Sequence, residues 1–137
     1  MTHLFDTTAV LVLMLQEPGV NRVHALFDDD HTSAAISVLT KAETWARLKN
    51  LGRDAEFEEE WNVLLGLFDA VLPVDGIVVD QSIALRRATR KRLPTTDSLI
   101  AATAKAHGLV LVHRDSHFLS IPPNLLATID LSNMPET

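Results

Sequence analysis

Five short apolar runs, at residues 4–6, 33–39, 71–74, 109–112 and 126–129, alternate with longer segments carrying apolar residues three and four positions apart. The short runs read as strands and the intervening segments as helices. Strands separated by crossover helices pair in parallel, and a parallel sheet needs cover on both faces. The expected fold is therefore α/β, a three-layer α/β/α sandwich around a mostly parallel central sheet. At 137 residues, with 47% hydrophobic content and 22% charge, the chain suits a single domain spanning 1–137 that buries a core without disulfides.

The helical boundaries follow from local chemistry. A helix over residues 8–15 is ended by Pro18 and Gly19, and a second covers 21–27. Thr40 is placed to cap a helix over 41–51 that Gly52 closes. Another begins near Asp54, with Phe57, Trp61, Leu64, Leu65 and Phe68 on one stripe. The pattern predicts a helix over 78–92, stopped by Pro94, then one over 97–107 that Thr95 or Thr96 caps and Gly108 closes. A short helical turn is expected at 115–119.

Composition excludes several classes. The chain has no cysteine, so thiolate zinc sites and disulfide frameworks are out, and a reducing cytoplasm is the expected setting. The apolar run at 9–15 is too short to span a bilayer, and residues 1–6 have no basic region ahead of an apolar stretch; the expectation is a soluble protein without membrane contact. A net charge of −6 argues against nucleic acid, but its distribution weakens that objection. Acid is concentrated at 28–30 and 56–60, whereas Arg86, Arg87, Arg90, Lys91 and Arg92 form a local basic run. That run either complements its helix's C-terminal dipole or contacts RNA.

Four acids stand where strands give way to helices: Asp6, Glu43, Asp97 and Asp115. In a parallel sheet such positions share the edge where α/β proteins bind ligands. Each has an ordinary explanation. Asp6 and Asp115 are placed to cap the turns after them, and Glu43 is placed to pair with Arg47 at i+4. Asp97 resists one, because Ile100, Ala101 and Ala104 put it on the inward face of its helix, where an ionised acid needs a cation or several donors. Four converging carboxylates form a hard oxygen site for Mg²⁺ or Mn²⁺, one or two ions, and the chemistry of such a site is phosphodiester hydrolysis.

Other motifs give less. His113, Asp115 and His117 alternate as a transition-metal site in extended backbone would, but a helical turn starting at Asp115 breaks the alternation. There is no HExxH, no GxSxG and no glycine-rich phosphate loop. Trp45 and Trp61 sit among apolar helical neighbours and read as core or dimer-interface residues rather than base-stacking platforms.

The segments LFDTTAVL (4–11), LTKAETWARL (39–48), LPTTDSLIAATA (93–104) and LVLVHRDSHF (109–118) resemble the PIN-domain family, specifically its VapC-type toxins of bacterial toxin–antitoxin pairs. The resemblance spans nearly the whole chain. It implies a metal-dependent endoribonuclease, active as a homodimer and neutralised by a cognate VapB-type antitoxin. Asp6, Glu43, Asp97 and Asp115 match the family's acidic quartet. Thr7, Thr40 and His113 are candidates to support the ligands through hydrogen bonds, although the family often carries Thr or Ser where this chain has His113. Arg86, Arg87, Arg90 and Arg114 are the candidate RNA contacts. Two competitors stand beside this reading. An aspartate-nucleophile phosphatase also begins with a strand ending in Asp, but would need its general acid where this chain has Thr8. A non-catalytic module could keep the fold to bind RNA or protein.

Overall fold

The computed structural model describes residues 1–133. Five strands, β1 His3–Phe5, β2 Ala34–Ser37, β3 Ala70–Leu72, β4 Val110–His113 and β5 Thr128–Asp130, form one sheet in the order β3-β2-β1-β4-β5. All four pairings are parallel, with Phe5 level with Ile36 on one side and Val112 on the other. β1 is central, and the connections run outward from it in opposite directions. The strand order therefore reverses between β1 and β4, which opens a crevice beyond their C-terminal ends.

Side-chain alternation along the strands sorts the core into two layers. Leu4, Ala35, Leu72 and Leu111 face α5 (Gly76–Ala88) and α6 (Thr95–Ala106). Phe5, Ala34, Ile36 and Val112 face α1 (Thr7–Leu15), α2 (Val20–Asp28), α3 (Thr40–Asn50) and α4 (Phe57–Leu65). This is the expected α/β/α sandwich. On the α1 side Phe5, Phe27 and Phe68 form a three-ring cluster with centroids 5.3–5.6 Å apart. On the other side Ala101, Ala102 and Ala104 are fully buried, and their small side chains let α6 lie close to its neighbours at native packing density.

Several boundaries differ from expectation. α1 ends at Leu15 as expected, but what stops it is Gln16, which turns left-handed at φ 52° and whose side chain donates to the Leu13 carbonyl at 2.7 Å, two residues before Pro18. Thr40 does not cap α3 but lies buried inside its first turn, after Leu39. α5 begins at Gly76 because the Asp75 carboxylate accepts the Val78 N–H at 3.0 Å. It ends at Ala88, and the chain leaves the helix to carry Leu93, 1% exposed, into the core. Arg90, Lys91 and Arg92 therefore lie outside the helix. Neither Thr95 nor Thr96 caps α6; the chain enters it through Pro94, whose ring presets its φ of −56°. Trp61 is core, as the stripe implied, whereas Trp45 is 43% exposed. No helix among the described residues is long and apolar enough to cross a membrane.

Gly19 holds the turn between α1 and α2 at φ 101°, and a β-carbon there would meet the Leu131 side chain at 3.2 Å and its carbonyl at 3.3 Å. Gly52 is also left-handed, at φ 70°, but with open space around it. Gly52→Ala is expected to cost about 1 kcal/mol from backbone conformation alone. Gly19→Ala should lose more than that, because crowding adds to strain. Urea unfolding of both variants checks the difference, and equal losses would contradict the close approach to Leu131.

Candidate metal centre

Asp6 leaves β1 in an extended conformation and caps α1, accepting the Ala9 N–H at 2.9 Å. The capping explanation is correct, and it does not exhaust the residue. Thr8 Oγ lies 2.7 and 2.9 Å from the two Asp6 carboxylate oxygens and accepts the backbone N–H of Arg114 at 2.8 Å. One hydroxyl thus fastens the exit of β4 to the acid that ends β1. Asp6 is 1% exposed. Burial pushes its carboxyl up to about 7, against the Ala9 and Thr8 hydrogen bonds, and the charges of Asp115 and Asp97 push the same way.

Glu43 lies in the first turn of α3 and reaches back to α1, where Thr7 Oγ donates to it at 2.6 Å. Thr7 Oγ also lies 3.3 Å from Thr40 Oγ, so both predicted supporting threonines gather at this acid. The expected ion pair between Glu43 and Arg47 is not formed. Asp97, in the first turn of α6, is half-buried, as its inward spacing implied. Burial pushes its carboxyl up to about 6, followed by the charge of Asp115, with Glu43 adding and His117 opposing. Asp115 caps the 3₁₀ turn Ser116–Ser120 by accepting the His117 N–H at 2.9 Å. The sheet edge thus places Asp97 within electrostatic reach of Glu43, Asp115 and Asp6, and Asp6 within reach of Asp115 as well.

Thr8 escaped the sequence reading as a supporting residue, and His117, weighed there only in alternation with His113 and Asp115, meets the acids by a different route. His117 places Nδ1 3.1 Å from Asp97 and 3.1 Å from Asp115, and the three side chains offer ligand atoms within 4.8 Å of one another. The imidazole adds a nitrogen donor to the expected oxygen-only set, a ligand type that suits later transition metals more than Mg²⁺. Thr8, considered above only as a missing general acid, is the hydroxyl that bridges Asp6 to β4. Each carried a local signal: Thr8 follows a strand-ending Asp by two residues, and His117 follows Asp115 by two.

His113 does not join the metal group. It is fully buried beside Phe118, centroids 5.0 Å apart, and its Nδ1 accepts the Asp115 N–H at 3.2 Å. Burial lowers its pKa, so the neutral ring orients the acid's backbone from within the core. The alternation of His113, Asp115 and His117 breaks at the 3₁₀ turn, as expected.

The basic residues distribute unevenly. Arg86 donates to Thr95 Oγ at 3.2 Å, bracing α5 against α6, while Arg87 and Arg90 are exposed. Lys91 and Arg92, with Ser116, His117 and Ser120, line a groove of about 270 Å³ beside the acids. Arg114 sits on the opposite flank, with Nη1 3.8 Å from Glu17 Oε1.

Residues 4–122 match the PIN domain. The chain belongs to this family. Among its relatives, this PIN domain is 29% identical over 96 residues to Ribonuclease VapC4 of Mycobacterium tuberculosis, a match covering 70% of this chain and 60% of that protein. Its fold is similar to a chain of the VapBC2 complex of Rickettsia felis, solved with a DNA fragment from its promoter. There the TM-score is 0.76 at 18% identity, covering 95% of this chain and 98% of that one. It is also similar to a chain of FitAcB from Neisseria gonorrhoeae, with TM-score 0.73 at 23% identity and coverage of 96% and 99%.

The raised carboxyls of this PIN domain make its stability depend on pH. Native Asp6 holds its proton up to about 7 while an unfolded Asp releases it near 3.8, so the native state binds more protons across that window. The stabilisation from protonated Asp6 is complete below the unfolded value. It disappears as pH rises through the native one, at about 1.4 kcal/mol for every pH interval of one between the two values. With divalent ions chelated, wild-type stability relative to Asp6→Asn should therefore fall between about pH 5 and 7.5, and Mn²⁺ should recover it at the upper end. Melting curves of both proteins test this, with His113 common to both. A difference independent of pH would exclude Asp6 as the responsible group.

Proposed function

We propose that the protein is a Mg²⁺- or Mn²⁺-dependent endoribonuclease, the VapC-type toxin of a toxin–antitoxin pair, working as a single PIN domain over residues 1–137 and as a cytoplasmic homodimer. The observation that carries this reading is the gathering of acids at the strand-order reversal, where Asp115 and Asp97 push the Asp6 carboxyl up and Asp115 and Glu43 push up that of Asp97, each already raised by burial. Such a cluster is stable at neutral pH when a cation neutralises it. The likeness to a ribonuclease of 29% identity supports the same chemistry.

Asp6, Asp97 and Asp115 would hold the ion, with Glu43 either a further ligand or the group that orients the attacking water. When bound, the metal supplies Lewis acidity towards a phosphodiester and an activated water. The protein's own part is positioning. Thr8 and the Ala9 N–H fix Asp6, Thr7 fixes Glu43, and His113 fixes the backbone of Asp115. His117 bridges Asp97 and Asp115 through one ring nitrogen, 3.1 Å from each, and so sets the spacing of the two acids. Lys91 and Arg92 offer the substrate backbone cations next to the acids. With water as nucleophile, the products carry a 5′-phosphate and a 3′-hydroxyl.

Purified protein should cleave RNA with Mg²⁺ or Mn²⁺ and stop in EDTA. Asp6→Asn and Asp97→Asn keep the side-chain size but remove ligand charge, so each should lower kcat by at least a hundredfold, roughly the scale of losing one electrostatic contributor at an active site. The variant preparations control for contaminating nuclease. Undiminished cutting by Asp97→Asn, or cutting that survives chelation, excludes the metal-nuclease reading and leaves an RNA- or protein-binding module.

The antitoxin has a place to sit. Leu13 and Met14 of α1 with Val63, Leu64 and Leu67 in and just after α4 line an apolar groove of about 440 Å³, in which Val63 is 78% exposed. An amphipathic antitoxin helix would fill it and extend an Arg or Lys to the acids. The small protein encoded beside this chain should co-purify with it at micromolar concentration, and Val63→Asp should abolish the complex. Retention by the Val63→Asp variant would move the docking site elsewhere.

A further inference from the structure

A second groove, about 460 Å³ in volume, opens beside the acids on the α1 side of the sheet and is lined by Thr8, Leu11, Glu17, Arg47 and Arg114. Its size is that of a small-ligand site, and it contains two arginines and one glutamate in a protein of net charge −6. We propose that it seats a backbone phosphate of the RNA strand next to the scissile bond, held by Arg47 and Arg114, with Glu17 as the acid that occupies Arg114 until RNA arrives. The inference rests on the nuclease reading and adds to it a subsite and a gate.

Three observations carry it. First, Arg47 follows Glu43 by one helical turn, so both lie on the same face of α3. The acid that would ordinarily take its charge is engaged by Thr7 instead, and the Arg47 guanidinium has no ion-pair or hydrogen-bond partner among the described residues. Second, Arg114 is fixed at its backbone: its N–H donates to Thr8, and Thr8 contacts both oxygens of Asp6. A phosphate held by Arg114 is thereby indexed to the innermost acid through a single hydroxyl, which itself lines the groove.

Third, the contact between Arg114 and Glu17 is loose. At 3.8 Å, with each side chain about one-third exposed, it exceeds hydrogen-bonding distance and contributes little. A phosphate offers a guanidinium paired, charge-assisted hydrogen bonds, which are considerably stronger. Exchange of Glu17 for phosphate is therefore favourable, and Glu17 opposes it by only the small energy of an exposed pair. The groove lined by Lys91 and Arg92 lies towards α5 and α6, the other side of the sheet. A strand reaching from the α1 groove, which Thr8 lines beside Asp6, to the groove that His117 lines beside Asp97 and Asp115 would pass the sheet edge that carries the acids.

The test measures binding of a short, fluorescein-labelled, single-stranded phosphorothioate oligoribonucleotide to the full chain in Mg²⁺ across a salt series, alongside cleavage of the unmodified oligonucleotide. Arg47→Ala and Arg114→Ala should each weaken binding about tenfold and flatten the dependence of log affinity on log salt by about 0.7. Arg47→Ala should raise KM with kcat little changed, and Arg47→Lys should restore the salt slope. Glu17→Gln should tighten binding roughly two- to fivefold. An Arg47→Ala protein with wild-type affinity and slope, or a Glu17→Gln protein that binds no better, overturns the inference even when the wild type cuts RNA normally. Loss of antitoxin binding in Arg47→Ala with oligonucleotide affinity intact also overturns it, by giving the groove to a protein partner. A wild type that neither binds nor cuts RNA removes the nuclease reading and this subsite together.

Discussion

A carboxylate with 1% of its surface exposed, at the end of the central strand, is the constraint around which the rest of this protein is arranged. Asp6 cannot retreat, because β1 is paired on both sides and α1 begins on its cap. Its desolvation is only partly offset by the Thr8 hydroxyl and the Ala9 N–H, which is why its carboxyl rises to about 7. Placing Asp97 and Asp115 nearby adds repulsion to that cost. A sequence selected for stability alone would put an apolar or amide side chain here.

The supports around the acids are short-range and drawn from different elements. Thr7 and Thr8 are adjacent in sequence, yet Thr7 serves Glu43 on α3 and Thr8 serves Asp6 and the backbone after β4. The first turn of α1 therefore ties together by hydrogen bonds three segments that the core also packs against one another. His113 works from below, with its ring in the core and one nitrogen on the Asp115 backbone.

The fold was readable because its signals are local and repeated. Short apolar runs and periodic helices located all five strands and six helices, and the parallel pairing followed from the crossovers. The four acids were readable for the same reason, since a parallel sheet sends every strand's C-terminal end to one edge. What escaped depended on contacts between distant segments. The bond from Thr8 to Arg114 joins residues far apart in sequence and leaves no periodic trace. For His117 the expected helical turn breaks the alternation with His113, but its approach to Asp97 on α6 is a tertiary contact that no local pattern marks. The end of α5 was misplaced because Pro94 is a visible stop, while the burial of Leu93, which takes the chain out of the helix earlier, is a tertiary effect.

The strand order has a consequence for how the molecule comes into being. β1 is made before the other four strands described, yet its partner β4 is the fourth of them, and Asp97 and Asp115 lie close to that later strand in sequence. A nascent chain that has completed β1, β2 and β3 carries only Asp6 and Glu43 and has an open edge where β4 belongs. The carboxylate cluster is thus completed only once β4 and the turn after it have been added to the three strands already made.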